Sequence, residues 1–175
     1  MDVINAYGPT YLSGIIYCGG GVIHTEYALS TSRASLVTSI GTLLSESAED
    51  MTAAASSFVD TCVAPASLPL PYRMKLEWMG GFIAQPRQAR AQSLGRKQNA
   101  SAEWERRVRD VPVLVVQGSE DQHRDWEAMR ALLEKLYANL EVRMLDGVGH
   151  SPHVERPAET DRAISTWVAK VVGRV

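Results

Sequence analysis

The residues best suited to do chemistry gather near the C-terminus, where Gly147 to Pro157 read GVGHSPHVERP. A histidine in a short glycine loop straight after an apolar run is placed to act as a general base, because imidazole titrates near neutral pH. It needs a partner to hold its ring. Asp121, in Gly118-Ser119-Glu120-Asp121, is a candidate. A carboxylate bonded to one ring nitrogen fixes the tautomer and stabilises the imidazolium that forms when the other nitrogen takes a proton. Spacing alone leaves two readings open: an Asp121–His150 pair, or a surface aspartate and a loop histidine that never meet. Glu120 reads as a solvated neighbour of Asp121.

Other constellations are weaker. His150, His153 and Glu155 suggest metal ligands, but Pro152 interrupts a regular helix through them and the ligand set is incomplete, so no metal is expected. Gly19-Gly20-Gly21 follows a strand-like run, yet the third glycine of a G-x-G-x-x-G fingerprint would fall on His24 and no cofactor is implied. His24 and His123 read as single histidines, structural or exposed.

The elements that must position Asp121 and His150 follow from periodicity. Val111 to Gly118, VPVLVVQG, is β-branched without alternation, as in a parallel strand covered on both faces. Trp126, Met129, Leu133, Leu136 and Leu140 recur at steps of three and four and predict a helix over 124–138. Leu140 to Gly147 alternates as a strand, and from Pro157 the residues Ile164, Trp167, Val168 and Val171 form the stripe of a last helix. Near the other end, Tyr11 to Cys18 reads as a buried strand running into the triple glycine. Between them, residues 25–109 are rich in Ala, Ser, Leu and Met, and prolines 65, 69, 71 and 86 divide the stretch into short helices. Strand, helix, strand, helix in one domain implies a parallel sheet with helices on both faces, here a partial doubly wound α/β sheet of about three strands with a helical insertion. Chemistry in such sheets gathers at the carboxyl ends of the strands, where both candidate loops lie.

Composition narrows the class. With 175 residues, 45% hydrophobic and 22% charged, the chain has the make-up of a globular domain, and a formal net charge of -2 offers no general attraction to nucleic acid or an anionic membrane. The densest basic stretch, Arg87 to Arg109, also holds Glu103 and Glu105 and reads as a solvated helix surface. Cys18 and Cys62 sit among apolar residues and are expected as buried free thiols of a reducing compartment. No signal peptide or membrane-length apolar run is present, so a cytoplasmic location is expected.

The run VPVLVVQGSED, followed by a helix, a strand and GVGHSPHVERP, resembles the closing part of the α/β-hydrolase family. There, G-x-x-D after an apolar strand carries the triad acid, and a later G-H with E-x-P downstream carries the base. The resemblance implies Asp121 as acid and His150 as base. It further implies that 25–109 is a helical cap, that 1–24 is the end of an elbow helix plus the strand before the cap, and that 110–175 is hydrolase core. WMGGFIAQPRQ, Trp78 to Gln88, is similar to cap segments of the non-haem haloperoxidase and esterase-like branch. An apolar substrate pocket lined by Trp78, Met79 and Phe82 is the corresponding expectation. Some members place the acid after the pre-cap strand, but here that position holds Cys18-Gly19-Gly20-Gly21.

One family feature is missing. The nucleophile sits in a G-x-S-x-G elbow between a strand and a helix. The nearest match, Ala91-Gln92-Ser93-Leu94-Gly95, follows a polar, arginine-bearing stretch inside the presumed cap, so Ser93 is not expected to serve. The expectation is a C-terminal portion of a hydrolase, with MDVINAYGPT as the last turns of the elbow helix and the nucleophile, Ser or Asp, encoded upstream. Such a chain would be inactive alone, although the full-length form would cleave esters or related bonds of a small apolar substrate. The alternative is a truncated pseudo-enzyme or partner-binding module. An uncovered strand edge would also favour self-association.

Overall fold

The computed structural model describes residues 2–21, 25–95 and 102–173. Its centre is β2 (Val113–Gly118), in which every residue is buried. The strand pairs in parallel with β1 (Ile15–Cys18), Ile15 opposite Val113, and with β3 (Leu140–Leu145), Leu140 opposite Val113, giving the order β1-β2-β3. Successive side chains point to opposite faces, so a strand apolar at nearly every position needs a covering on each side. On one face Val113 and Val115 meet α1 (Asp2–Tyr7), α7 (Ala102–Val108) and α8 (Trp126–Leu136) through Ile4, Trp104, Val108, Met129 and Leu133. On the other, Leu114 and Val116 meet Trp167 of α10 (Pro157–Val172). Fully burying each such Val or Leu stabilises by about 1.5–3 kcal/mol, which makes this strand the anchor of the sheet.

The expected sheet is present and its helices lie on both faces, but β1 differs from the reading of the sequence. Pro9–Tyr11 form a 3-10 turn, the strand begins only at Ile15, and Ile16 and Cys18 are exposed while Ile15 and Tyr17 are half-buried. As an edge strand among the described residues, β1 is covered on one face only. Cys18 is therefore exposed rather than buried, and Cys62 is half-buried. Burial, with the nearby Asp121 charge, pushes the Cys62 thiol up to about 12, which keeps it protonated. In α10, Trp167 is buried and Val168 is exposed, so the apolar stripe is narrower than expected.

Between β1 and β2 run α2 (Thr25–Ser30), α3 (Ala34–Leu43), α4 (Ala48–Asp60), α5 (Tyr72–Ile83), α6 (Arg87–Gly95) and α7. The four prolines fall between α4 and α5 and between α5 and α6, as their missing N–H groups require. Ser47 caps α4 by accepting from the Asp50 N–H at 3.2 Å. The inner seams are apolar: Leu43 packs with Ala54 and Ala55, and Val59 and Val63 pack against Met74, Trp78 and Met79. None of the described helices is long and apolar enough to cross a membrane.

The loops at the carboxyl ends of β2 and β3 cross closely. A Cβ on Gly118 would overlap the backbone carbonyl oxygens of Val148 and Gly149, whereas one on Gly80, inside α5, would meet nothing within 4 Å. Opposite outcomes are expected from the same substitution. Gly118→Ala should destabilise by about 2 kcal/mol or more because backbone must shift, and Gly80→Ala should stabilise by about 0.5–1 kcal/mol through helix propensity. Urea unfolding midpoints of the two variants check both signs.

Candidate active site

Asp121 follows β2 in a loop laced to the next one: the Ser119 N–H donates to the Leu145 carbonyl at 3.0 Å and the Glu120 N–H to the Val148 carbonyl at 2.8 Å. Its carboxylate is 3% exposed and accepts four hydrogen bonds, from Gln117 Nε2 at 2.6 Å, the His123 N–H at 2.7 Å, His150 Nδ1 at 2.9 Å and the Arg124 N–H at 3.1 Å. Burial by itself would raise this carboxyl group, but the hydrogen bond and charge of His150, with the donors from Gln117 and His123, outweigh it and hold the group at about 2. Asp121 is thus ionised at neutral pH and can only accept. The His150 Nδ1 atom therefore donates to it, and Nε2 is the ring nitrogen that Asp121 does not hold.

His150 is held from three sides. Gly149 donates its N–H to Glu155 Oε2 at 2.7 Å, and Glu155 Oε1 accepts from the Ala64 N–H at 2.9 Å and the Ser67 hydroxyl at 2.7 Å. One carboxylate thus ties the histidine loop to the turn after α4. Gly19, at φ 67°, lies against the His150 carbonyl, and Gly149 lies against Val63 and Ala64, both too close for a Cβ. The His150 ring tilts against His123 with centroids 4.4 Å apart, and His123 stacks on Phe58 at 4.8 Å. Its own side chain remains 24% exposed, and among the described residues no group bonds to Nε2.

His123 is itself fixed. Its Nε2 lies 2.8 Å from the Thr61 hydroxyl, whose single proton goes to the Phe58 carbonyl, so the ring must be the donor. Burial, then the neighbouring His150, lowers its pKa to about 4, which leaves it neutral.

The structure brings Asp121 and His150 together, the pairing that spacing left open. It leaves Glu120 exposed, as expected. His150, His153 and Glu155 do not converge: their partners are Asp121, the Cys18 thiol at 3.9 Å, and the backbone of Ala64 and Gly149. Among the described residues no group of three His, Cys, Asp or Glu is placed to hold a metal. Ser93 sits within helix α6, not on a strand-to-helix turn. His24 lies outside the described residues. Trp78, Met79 and Phe82 pack on α4 around Val59 and Val63. Of the three, Phe82 comes nearest in contacts to the pair, meeting Phe58 edge to face at 4.9 Å, with His123 between Phe58 and His150.

Sequence reasoning missed Gln117, Thr61 and Phe58, took His123 as a single structural or exposed histidine, and took Glu155 as a weak metal-ligand candidate and part of a motif. A signal existed for Gln117, the one polar side chain inside an otherwise apolar strand. Nothing local marks Phe58 or Thr61, whose roles depend on where α4 docks.

A parallel sheet whose central strand is followed by an acid and whose next strand is followed by the histidine it holds defines a partial α/β-hydrolase fold. Solved structures share this fold. It is similar to an esterase from Rhodococcus sp. ECU1013, with 20% identity and a TM-score of 0.79 over 97% of this chain and 60% of that one. A putative aryl esterase from Burkholderia cenocepacia matches with 15% identity and a TM-score of 0.78 over 98% of this chain and 60% of that one. A bromoperoxidase from Bacillus anthracis matches with 13% identity and a TM-score of 0.62 over 77% of this chain and 48% of that one. The chain spans about 60% of the length of the two esterases. No family model and no curated protein matches the sequence.

Two groups of the site couple to folding. Unfolded His123 has its ordinary pKa near 6.5 and folded His123 one of about 4, so the unfolded chain takes up a proton that the fold refuses. Stability is therefore full above about pH 6.5 and falls as the pH drops toward 4, by about 3 kcal/mol. Asp121, depressed from 3.8 to about 2, adds a later loss below about pH 4. His123→Phe keeps a ring on Phe58 and is expected to flatten only the first slope. Urea midpoints taken from about pH 7 to about pH 4 check this, and parallel slopes in the two proteins would refute the assignment.

Proposed function

We propose that this chain supplies the acid and base of a hydrolase acting on esters or related bonds of a small apolar substrate, with the nucleophile contributed by residues outside these 175. The observation that carries the reading is the 2.9 Å bond between a buried, ionised Asp121 and His150 Nδ1. In this reading Asp121 holds the tautomer, His150 Nε2 takes the proton of a serine hydroxyl as it attacks the carbonyl, and the same nitrogen returns it to the leaving group. An aspartate nucleophile, attacking directly, would call on His150 only to activate the water that releases the intermediate. Helices α3 to α5 serve as the cap, whereas α7, at the end of the 25–109 insertion, packs on the sheet. Phe58, with Phe82 behind it, supplies the apolar wall on the histidine side. The esterase and haloperoxidase neighbours support the class of chemistry through fold alone.

The test is the reading frame upstream of Met1. An apolar strand followed by G-x-S-x-G is expected there, and the longer protein carrying it should hydrolyse short-chain nitrophenyl esters. His150→Ala should lower its turnover by ~10⁶-fold and Asp121→Asn by ~10⁴-fold. The 175-residue chain alone should neither hydrolyse the ester nor take up a fluorophosphonate probe. An upstream frame without a nucleophile elbow, full activity in His150→Ala, or labelling lost in Ser93→Ala would overturn the proposal.

A further inference from the structure

Among the described residues β3 is an edge strand, paired with β2 on one side only. The Val113 N–H donates to the Asn139 carbonyl and the Ser119 N–H to the Leu145 carbonyl, so in this parallel ladder the odd-numbered residues of β3 turn their amide groups toward β2. Leu140, Val142 and Met144 turn theirs outward. On the α10 face this edge borders a cleft of about 400 Å³ lined by Glu141, Arg143, Glu159 and Trp167. On the α8 face it borders one of about 500 Å³ lined by Trp126, Tyr137, Val142 and Met144. An incoming strand would place side chains into both.

We propose that the occupant is a second copy of this chain, with the two β3 strands antiparallel and Val142 opposite the partner's Val142. A two-fold axis normal to the sheet reverses strand direction but keeps each face on its own side, so residues of like parity must face each other. Four registers centre the axis on an interior residue of the strand, and centring on Met144 sets Arg143 against the partner's Leu145 with no charge matched. Centring on Glu141 sets two carboxylates against each other, and centring on Arg143 sets two guanidinium groups together. Centring on Val142 alone matches opposite charges, pairing Glu141 with the partner's Arg143 twice, on the α10 face. On the α8 face the same register lays Leu140 against the partner's Met144 and Val142 against the partner's Val142. It also makes the outward-turned residues the hydrogen-bonded pairs, so every exposed amide from Leu140 to Met144 finds a partner.

The charges that usually guard an edge strand against pairing are here self-complementary. Glu141 is ion-paired to Arg143 on its own strand at 2.8 Å and to Lys170 at 2.6 Å, and Arg143 is 55% exposed in its side chain. The arginine can exchange its own carboxylate for the partner's without leaving either unpaired.

Sedimentation of the 175-residue chain tests this. The native chain is expected to dimerise, and Glu141→Arg or Arg143→Glu should each weaken the dimer roughly tenfold or more, since symmetry turns one reversal into two like-charge pairs. Mixed in equal amounts, the two variants should recover dimer, because every cross-strand pair is then opposite in sign. Far-ultraviolet circular dichroism establishes that each variant is folded. A native chain that stays monomeric, a dimer indifferent to both variants (as one joined through β1 would be), or folded variants that fail to recombine would each overturn the proposal.

Discussion

One buried carboxylate organises the working end of this molecule. Asp121 sits where β2 ends, almost wholly removed from water, and a charge in that position is tolerable only because donors surround it. The four donors come from three parts of the local chain: the strand below, the loop ahead, which gives two, and the histidine loop alongside. Satisfying the charge therefore fixes the backbone around it. The ionised carboxylate and the proton on His150 Nδ1 follow from a single electrostatic requirement rather than from two separate arrangements.

Packing brings that requirement about. The apolar β2 strand draws helices to both faces, and this sets β3 beside it so that the two loops leave the sheet on the same side. Glycine at 118 and 149 then lets backbone lie on backbone where a side chain would hold the loops apart. The rings of Phe58, His123 and His150 form a continuous chain of contacts from α4 to the loop after β3, and the middle ring is kept neutral by its burial. A neutral His123 adds no positive charge that would compete with His150 for Asp121.

The sheet was legible in the sequence where its signals are local. The unbroken run of Val113 to Val116 announced a strand covered twice, and the Trp126 to Leu136 stripe announced the helix that covers it. Proline placed the breaks between α4, α5 and α6. β1 was misread because IIYC has the same apolar content whether it lies inside a sheet or at its edge, and only tertiary neighbours decide which. The acid and base were visible as residue types at the ends of two strands, but their meeting was not, since it depends on the register between those strands. Thr61 and Phe58 were invisible for a stronger reason: their side chains matter to the site only once α4 has docked against the loop after β2.

Glu155 ties the helical segment to the histidine loop. One of its oxygens grips Ala64 and Ser67, beyond α4, and the other grips Gly149, the residue before His150. The two oxygens belong to a rigid planar group, so the distance between the turn at 64–67 and the histidine loop is set by the width of a carboxylate. A displacement of that turn must either drag the histidine loop with it or break charge-assisted bonds in a half-buried setting. The placement of the turn at 64–67 and that of the imidazole are thus linked through one side chain that does not touch Asp121.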